Sequence, residues 1–234
     1  QSGANLLLVG QQDVGALGVI NAVLVSLAAQ LDRQSARFFI LEGSAADSPH
    51  AGQLQKVASA LPHEHRNVEW RAVPEVISEI AAEVQNRIQA DQHDAPARYL
   101  FIYGLQRYRI LRRQEEEFGF SMDQEAAPKP DKQFAEIIRE GPPVGVHVIV
   151  WADTLSAVER TLNRQTIREF DNRVLFQMGA ADSSNLIDSP LANQLGFHRA
   201  LFFSEEQGLL EKFRPYAPLT EDWLAEIASK LNHP

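Results

Sequence analysis

The chain has 234 residues, 44% hydrophobic and 23% charged, enough for one full α/β core or two small ones. Its formal charge of -9, from 22 Lys plus Arg against 31 Asp plus Glu, disfavours nucleic acid, whose binding draws on counterion release by cationic side chains. With no cysteine, it has no disulfide, thiolate metal site or cysteine nucleophile.

Short apolar runs alternate with helical patterns. Leu6–Val9 reads as a strand and Leu17–Leu31 as a helix. Arg37–Leu41 is a second strand, Ala51–Leu61 a short helix and Val68–Val73 a third strand. Pro74 suits the first turn of a helix over the following "EVISEIAAEVQNRIQ". Strands are expected at Arg98–Tyr103, Val146–Ala152 and Arg173–Met178, then a closing hairpin from Arg199–Phe203 and Leu209–Tyr216. Thr220 is placed to cap a last amphipathic helix. Near-continuous apolar strands alternating with helices predict a mainly parallel sheet covered on both faces, an α/β fold without internal repeats. Arg112–Pro130 is polar and ends in Pro-Lys-Pro, and is expected to be a mobile surface loop or a contact arm. No uninterrupted apolar run approaches the ~18 residues of a membrane span, so no membrane contact is expected within this segment. No secretory signal is visible, and the chain begins at Gln1 without Met directly before a strand, which points to a piece of a longer polypeptide or a processed one.

One turn carries a broken motif. In "VGQQDVGAL" the spacing from Gly10 to Gly15, after a strand and before a helix, is that of G-x-x-x-x-G-K-[ST], the loop whose backbone cradles phosphates. Ala16 and Leu17 stand where Lys and Ser or Thr belong, and Asp13 places a negative charge inside the loop. Read without the motif, this is a tight strand-to-helix turn hinged at Gly10 and Gly15.

Further along, Gly145-Val146-His147, the strand-leading Arg173, Asp182-Ser183, Leu186-Ile187-Asp188 and Leu195-Gly196 follow in an order that resembles the FtsK/SpoIIIE motor domain. The resemblance covers nearly the whole chain and implies a RecA-like P-loop fold, one module of a multi-domain motor such as the EccC-like chains of type VII secretion. It places the phosphate loop at Gly10–Leu17, the Walker B end at Tyr103 and Gly104, and the γ-phosphate sensor at Asp153 and Thr154. None of these positions carries the group the chemistry needs, and positioning with charge neutralisation supplies nearly all of phosphoryl-transfer catalysis. The expectation is a pseudo-ATPase with no resident cofactor and at most weak ATP-Mg binding through backbone amides. It would serve regulation, assembly or substrate docking. The resemblance also implies a cytoplasmic setting, a parent chain associated with a membrane, and arginines reaching a neighbour's nucleotide, with Arg173 the best match and Arg164 and Arg168 nearby.

The partners expected are neighbouring motor domains of the same chain or ring and a peptide or protein substrate. Two rival expectations are a DNA-gripping translocase subunit, disfavoured by the acidic total, and a live ATPase with atypical motifs. Arg107, Arg109, Arg112 and Arg113, interleaved with Tyr103 and Tyr108, form the one clear basic cluster, either a solvated face beside Glu115–Glu117 or a docking patch. His63 and His65 flank Glu64 with no third metal ligand near in sequence and read as loop residues. Asp182 and Asp188 read as caps and turn formers.

Overall fold

The computed structural model describes residues 5–114 and 129–232. β1 (Leu6–Val9) leads into α1 (Asp13–Gln30), followed by β2 (Ala36–Glu42), α2 (Gln53–Ala60), β3 (Glu64–Asn67), α3 (Val73–Gln89) and β4 (Ala97–Tyr103). Two 3-10 turns, Leu105–Arg107 and Arg109–Leu111, come next. They are followed by α4 (Pro130–Glu140), β5 (Val146–Ala152), α5 (Leu155–Thr161), α6 (Arg164–Arg168), β6 (Asn172–Leu175) and α7 (Ala180–Ile187). β7 (Ala200–Ser204) and β8 (Leu209–Phe213) form the expected hairpin, and α8 (Glu221–Asn232) ends the described chain.

The eight strands make one sheet in the order β3-β2-β4-β5-β1-β6-β7-β8. From β3 to β6 every pairing is parallel, while β7 and β8 add antiparallel at one edge. Alternate strand residues face opposite layers. Leu7 and Val9 meet α3, α4, α5 and α7, whereas Leu8, Phe101 and Trp151 meet α1, α2 and the half-buried apolar side of α8. The mainly parallel α/β sheet with helices on both faces is therefore as expected. Buried Asn5 fixes the entry to β1: its Nδ2 donates to the Ile138 carbonyl at 2.8 Å and its Oδ1 accepts from the Val148 amide at 2.8 Å.

Two local expectations need correction. The third strand lies at Glu64–Asn67 rather than Val68–Val73. Because β3 is an edge strand with only β2 beside it, polar side chains suit it, and Val68 and Val73 instead plug the core around a 3-10 turn at Trp70–Ala72. α4 starts at Pro130, where the sequence pattern showed no helix; its buried stripe is Phe134, Ile137 and Ile138, at i, i+3 and i+4. The expected loop at Arg112–Pro130 lies largely outside the described residues; across it, the Gln114 amide donates to Asp131 Oδ2 at 3.1 Å and Lys129 Nζ to Gln114 Oε1 at 2.9 Å. α1 is also long and apolar enough to cross a membrane by length and composition, which the interrupted runs did not reveal. Here it packs as a core helix, and a Cβ on its Gly18 would lie 1.9 Å from the Tyr216 carbonyl oxygen of the segment leading to α8.

Candidate functional site

The C-terminal ends of β1, β4, β5 and β6 converge on the turn Gly10–Gln12, the place where parallel α/β sheets bind ligands. The expected turn closes at Gly15, but the helix already begins at Asp13. Asp13, Val14 and Gly15, which a phosphate cradle would hold as loop, are thus the first turn of α1. Two amides here bond within the chain: Val14 donates to Asp13 Oδ1 at 2.8 Å and Ala16 to the Gln12 carbonyl at 2.9 Å. The Asp13 carboxylate therefore occupies the helix N-terminus that an anion would otherwise use. Gln12 Oε1 accepts from the His198 amide at 3.2 Å, joining the turn to the segment before β7.

Ala16 and Leu17, at the lysine and hydroxyl positions, are both 0% exposed and pack with Ile20 and Leu24 against the sheet. The backbone aims both of these positions into the core.

At the position expected for Walker B the structure has a brace. Tyr103 and Trp151 stack with ring centroids 4.5 Å apart, and each is only 5% exposed. The Trp151 indole N–H donates to the Gly10 carbonyl at 3.0 Å, and the Tyr103 hydroxyl donates to the Asp13 carbonyl at 3.2 Å. The two rings thereby hold both ends of the shortened turn. Burial, then the charges of Asp13 and Glu42, push the Tyr103 phenol well above its usual range, so it stays a neutral donor. Gly104 follows at φ 89°, its amide donating to the Trp151 carbonyl at 3.2 Å and its Cα face closed by Gly43.

The sensor position caps a helix. Thr154 Oγ1 accepts from the Ala157 amide at 3.2 Å and donates to Asp153 Oδ1 at 3.0 Å, while the Asp153 amide donates to Gln106 Oε1 at 3.3 Å. Beside it a cleft of about 220 Å³ is lined by Gly10, Gln11, Asp153, Thr154, Gln177 and Asp182. Its charged lining residues are both carboxylates, which oppose a nucleotide triphosphate.

The two glycines now do different work. Gly10 sits at φ 132°, and a Cβ there would lie 2.7 Å from Phe176 Cβ. Gly10→Ala is expected to cost about 3 kcal/mol in chemical denaturation, from strain and overpacking together. Gly15 is an ordinary helical residue whose added Cβ would meet the ring edge of Phe176 at 3.0 Å. Gly15→Ala is expected to stay within about 1 kcal/mol of the parent, helix propensity offsetting the contact.

The arginines are split. Arg173 is 7% exposed: its Nη1 donates to the Leu186 carbonyl at 2.6 Å, its Nη2 pairs with Glu205 at 3.1 Å, and its guanidinium lies over the Phe203 ring. Burial lowers its pKa, and Glu205 acts in the opposite direction. It is committed within the chain, against the expectation of an arginine reaching outward. Arg164 and Arg168 are exposed and line, with Arg173, a cleft of about 350 Å³. In the other cluster Arg107, Arg109 and Arg113 are exposed, and Arg112 donates to the Gln106 carbonyl at 2.9 Å. Tyr103 and Tyr108 are buried, so the expected interleaving of tyrosines with arginines on the surface is absent.

The histidine pair serves the fold: His63 is buried with Nε2 3.0 Å from the Leu31 carbonyl, and His65 lies in β3 with Nε2 3.3 Å from Ser59 Oγ. Among the described residues no group of three or more His, Cys, Asp or Glu is placed to hold a metal. Asp188 ends α7 in the left-handed conformation at φ 52°, and Asp182 sits in that helix's first turn. Sequence reasoning missed the bond from Trp151 to the Gly10 turn; an indole at the end of a strand that otherwise reads Val-His-Val-Ile-Val was the available signal.

The pCW3 conjugation coupling protein TcpA, solved as a monomer with ATPγS, superposes with a TM-score of 0.66 over 98% of this chain at 12% identity. The chain shares the fold of that FtsK/SpoIIIE-type ATPase. Thermomonospora curvata EccC (ATPases 2 and 3), in complex with a signal sequence peptide, shares this fold with a TM-score of 0.66 over 97% of the chain at 16% identity. So does the genome packaging NTPase B204 of Sulfolobus turreted icosahedral virus 2, in complex with AMPPCP, with a TM-score of 0.57 over 92% of the chain at 11% identity. The chain spans 65% of the coupling protein's length and 41% of the EccC chain's, and 99% of B204's. No family model and no curated protein matches the sequence. At identities this low the fold is shared while the site must be argued from its own residues.

Proposed function

We propose that this chain is a catalytically silent module of an FtsK/SpoIIIE-type motor, acting in regulation, assembly or substrate docking. The supporting observation is the winding of the phosphate loop into α1, with Ala16 and Leu17 in the core and the Tyr103–Trp151 stack holding both ends of the turn. Its partners on this view are neighbouring motor domains and a peptide or protein, in line with the signal sequence peptide bound by the EccC neighbour. The nucleotide-bound neighbours leave room for weak ATP-Mg binding here, and the acidic total weighs against DNA. For an arginine supplied to a neighbour's nucleotide, Arg164 and Arg168 are the exposed members of the group.

Titration calorimetry of the chain with ATP-Mg tests this. The expected result is a dissociation constant weaker than ~1 mM, about -4 kcal/mol, with no phosphate release. Micromolar binding or turnover would refute it.

A further inference from the structure

Several arginines in this acidic chain are held in ion pairs. Arg37, Arg66, Arg87, Arg98, Arg139 and Arg173 each meet a glutamate. By contrast, Arg71, Arg107 and Arg109 are exposed and make no side-chain hydrogen bond or ion pair among the described residues. Each is the chain neighbour of one member of an aromatic stack, Trp70 with Tyr108. Trp70, 51% exposed, stacks on buried Tyr108 with centroids 4.3 Å apart and an interplanar angle of 25°. Tyr108 is flanked in the chain by Arg107 and Arg109, and Ile110, 41% exposed, comes next. Arg71 follows Trp70 in its turn, and Glu69 is the acidic residue beside it.

A half-exposed tryptophan held rigid by a buried ring loses little entropy on binding, and Trp and Arg dominate binding energy at protein contacts. We propose that the Trp70–Ile110 face docks a short acidic protein segment carrying an aromatic or aliphatic side chain. The unpaired guanidiniums select carboxylates and the indole with Ile110 receives the apolar group. A nucleic acid strand fits less well, because its charge repeats along its length and would run onto the surface of a chain whose net charge is -9. A short acidic peptide run can end where the patch ends. The inference rests on the docking role proposed above and names the chemistry of what docks. It also lies close to the altered site, since Gln106, next to Arg107, holds the Asp153 amide.

The test is fluorescence anisotropy of a labelled, amidated Asp-Glu-Leu-Glu-Phe-Glu peptide titrated with the whole chain at low and high salt. The expected result is saturable binding that weakens with salt. It should fall at least about tenfold in Arg107→Glu with Arg109→Glu, whose exposed positions leave the circular dichroism spectrum unchanged. Absence of saturable binding, or equal affinity in the variant, would overturn the proposal. So would tighter binding of a single-stranded oligothymidylate that is lost in the same variant, which would assign the face to nucleic acid. ATP turnover by the same preparation would instead remove the silent-module reading and leave the peptide result standing.

Discussion

Writing lysine and serine back into the phosphate-loop positions, as Ala16→Lys with Leu17→Ser, is expected to lower the unfolding free energy by roughly 5 kcal/mol and to produce no ATPase. Both positions are 0% exposed. Leu17→Ser removes a core side chain and leaves a hydroxyl to satisfy, and Ala16→Lys forces an ammonium into apolar packing beside Ile20 and Leu24. Holding a phosphate with these groups requires the first turn of α1 to unwind as far as Gly15, which takes away the Asp13 carbonyl to which Tyr103 donates. Guanidinium unfolding with a malachite-green phosphate assay checks both halves. A stable double variant that hydrolyses ATP would show that the helical turn is a resting state and not the fold's settled geometry.

The second large effect is expected at Arg173. Arg173→Ala should cost about 3 kcal/mol, since it strands the Leu186 carbonyl, removes the cation over Phe203 and empties the floor of the neighbouring cleft. Its partner Glu205 is 59% exposed in side chain, so the ion pair itself supplies a minor share of that loss. Arg164→Ala and Arg168→Ala, at exposed positions, should stay within about 0.5 kcal/mol of the parent in the same denaturation series. The contrast separates a structural arginine from candidates for a role outside the chain. A neutral Arg173→Ala would return Arg173 to the candidates.

The parts of this fold that were legible in the sequence are those where burial writes a pattern. β1, β2, β4 and β5 are covered on both faces and read as near-continuous apolar runs such as Leu6–Val9 and Val146–Ala152. β3 escaped because an edge strand of Glu64, His65, Arg66 and Asn67 has no apolar signature. α4 escaped because its three apolar anchors sit among charged residues after a proline-rich stretch. At the site, the missing lysine, hydroxyl and acidic groups were visible as letters. The winding of Asp13–Gly15 was not, because it depends on Trp151 and Tyr103, which lie distant in the chain and meet the turn only in the folded sheet.

The sheet order has a consequence for how the chain acquires its shape. β1 is the first strand made, yet its neighbours are β5 and β6, whose pairings join Leu6 to Ile149 and to Asn172. During synthesis β2, β3 and β4 can assemble while β1 and α1 wait without partners, since long-range parallel pairing must first meet the entropy of closing a long loop. The Gly10 turn then takes its final geometry only when Trp151 arrives, 141 residues later in the chain. A ribosome-stalled chain ending before β5 should therefore expose α1 to chaperones and proteases, and one ending after β6 should shelter it.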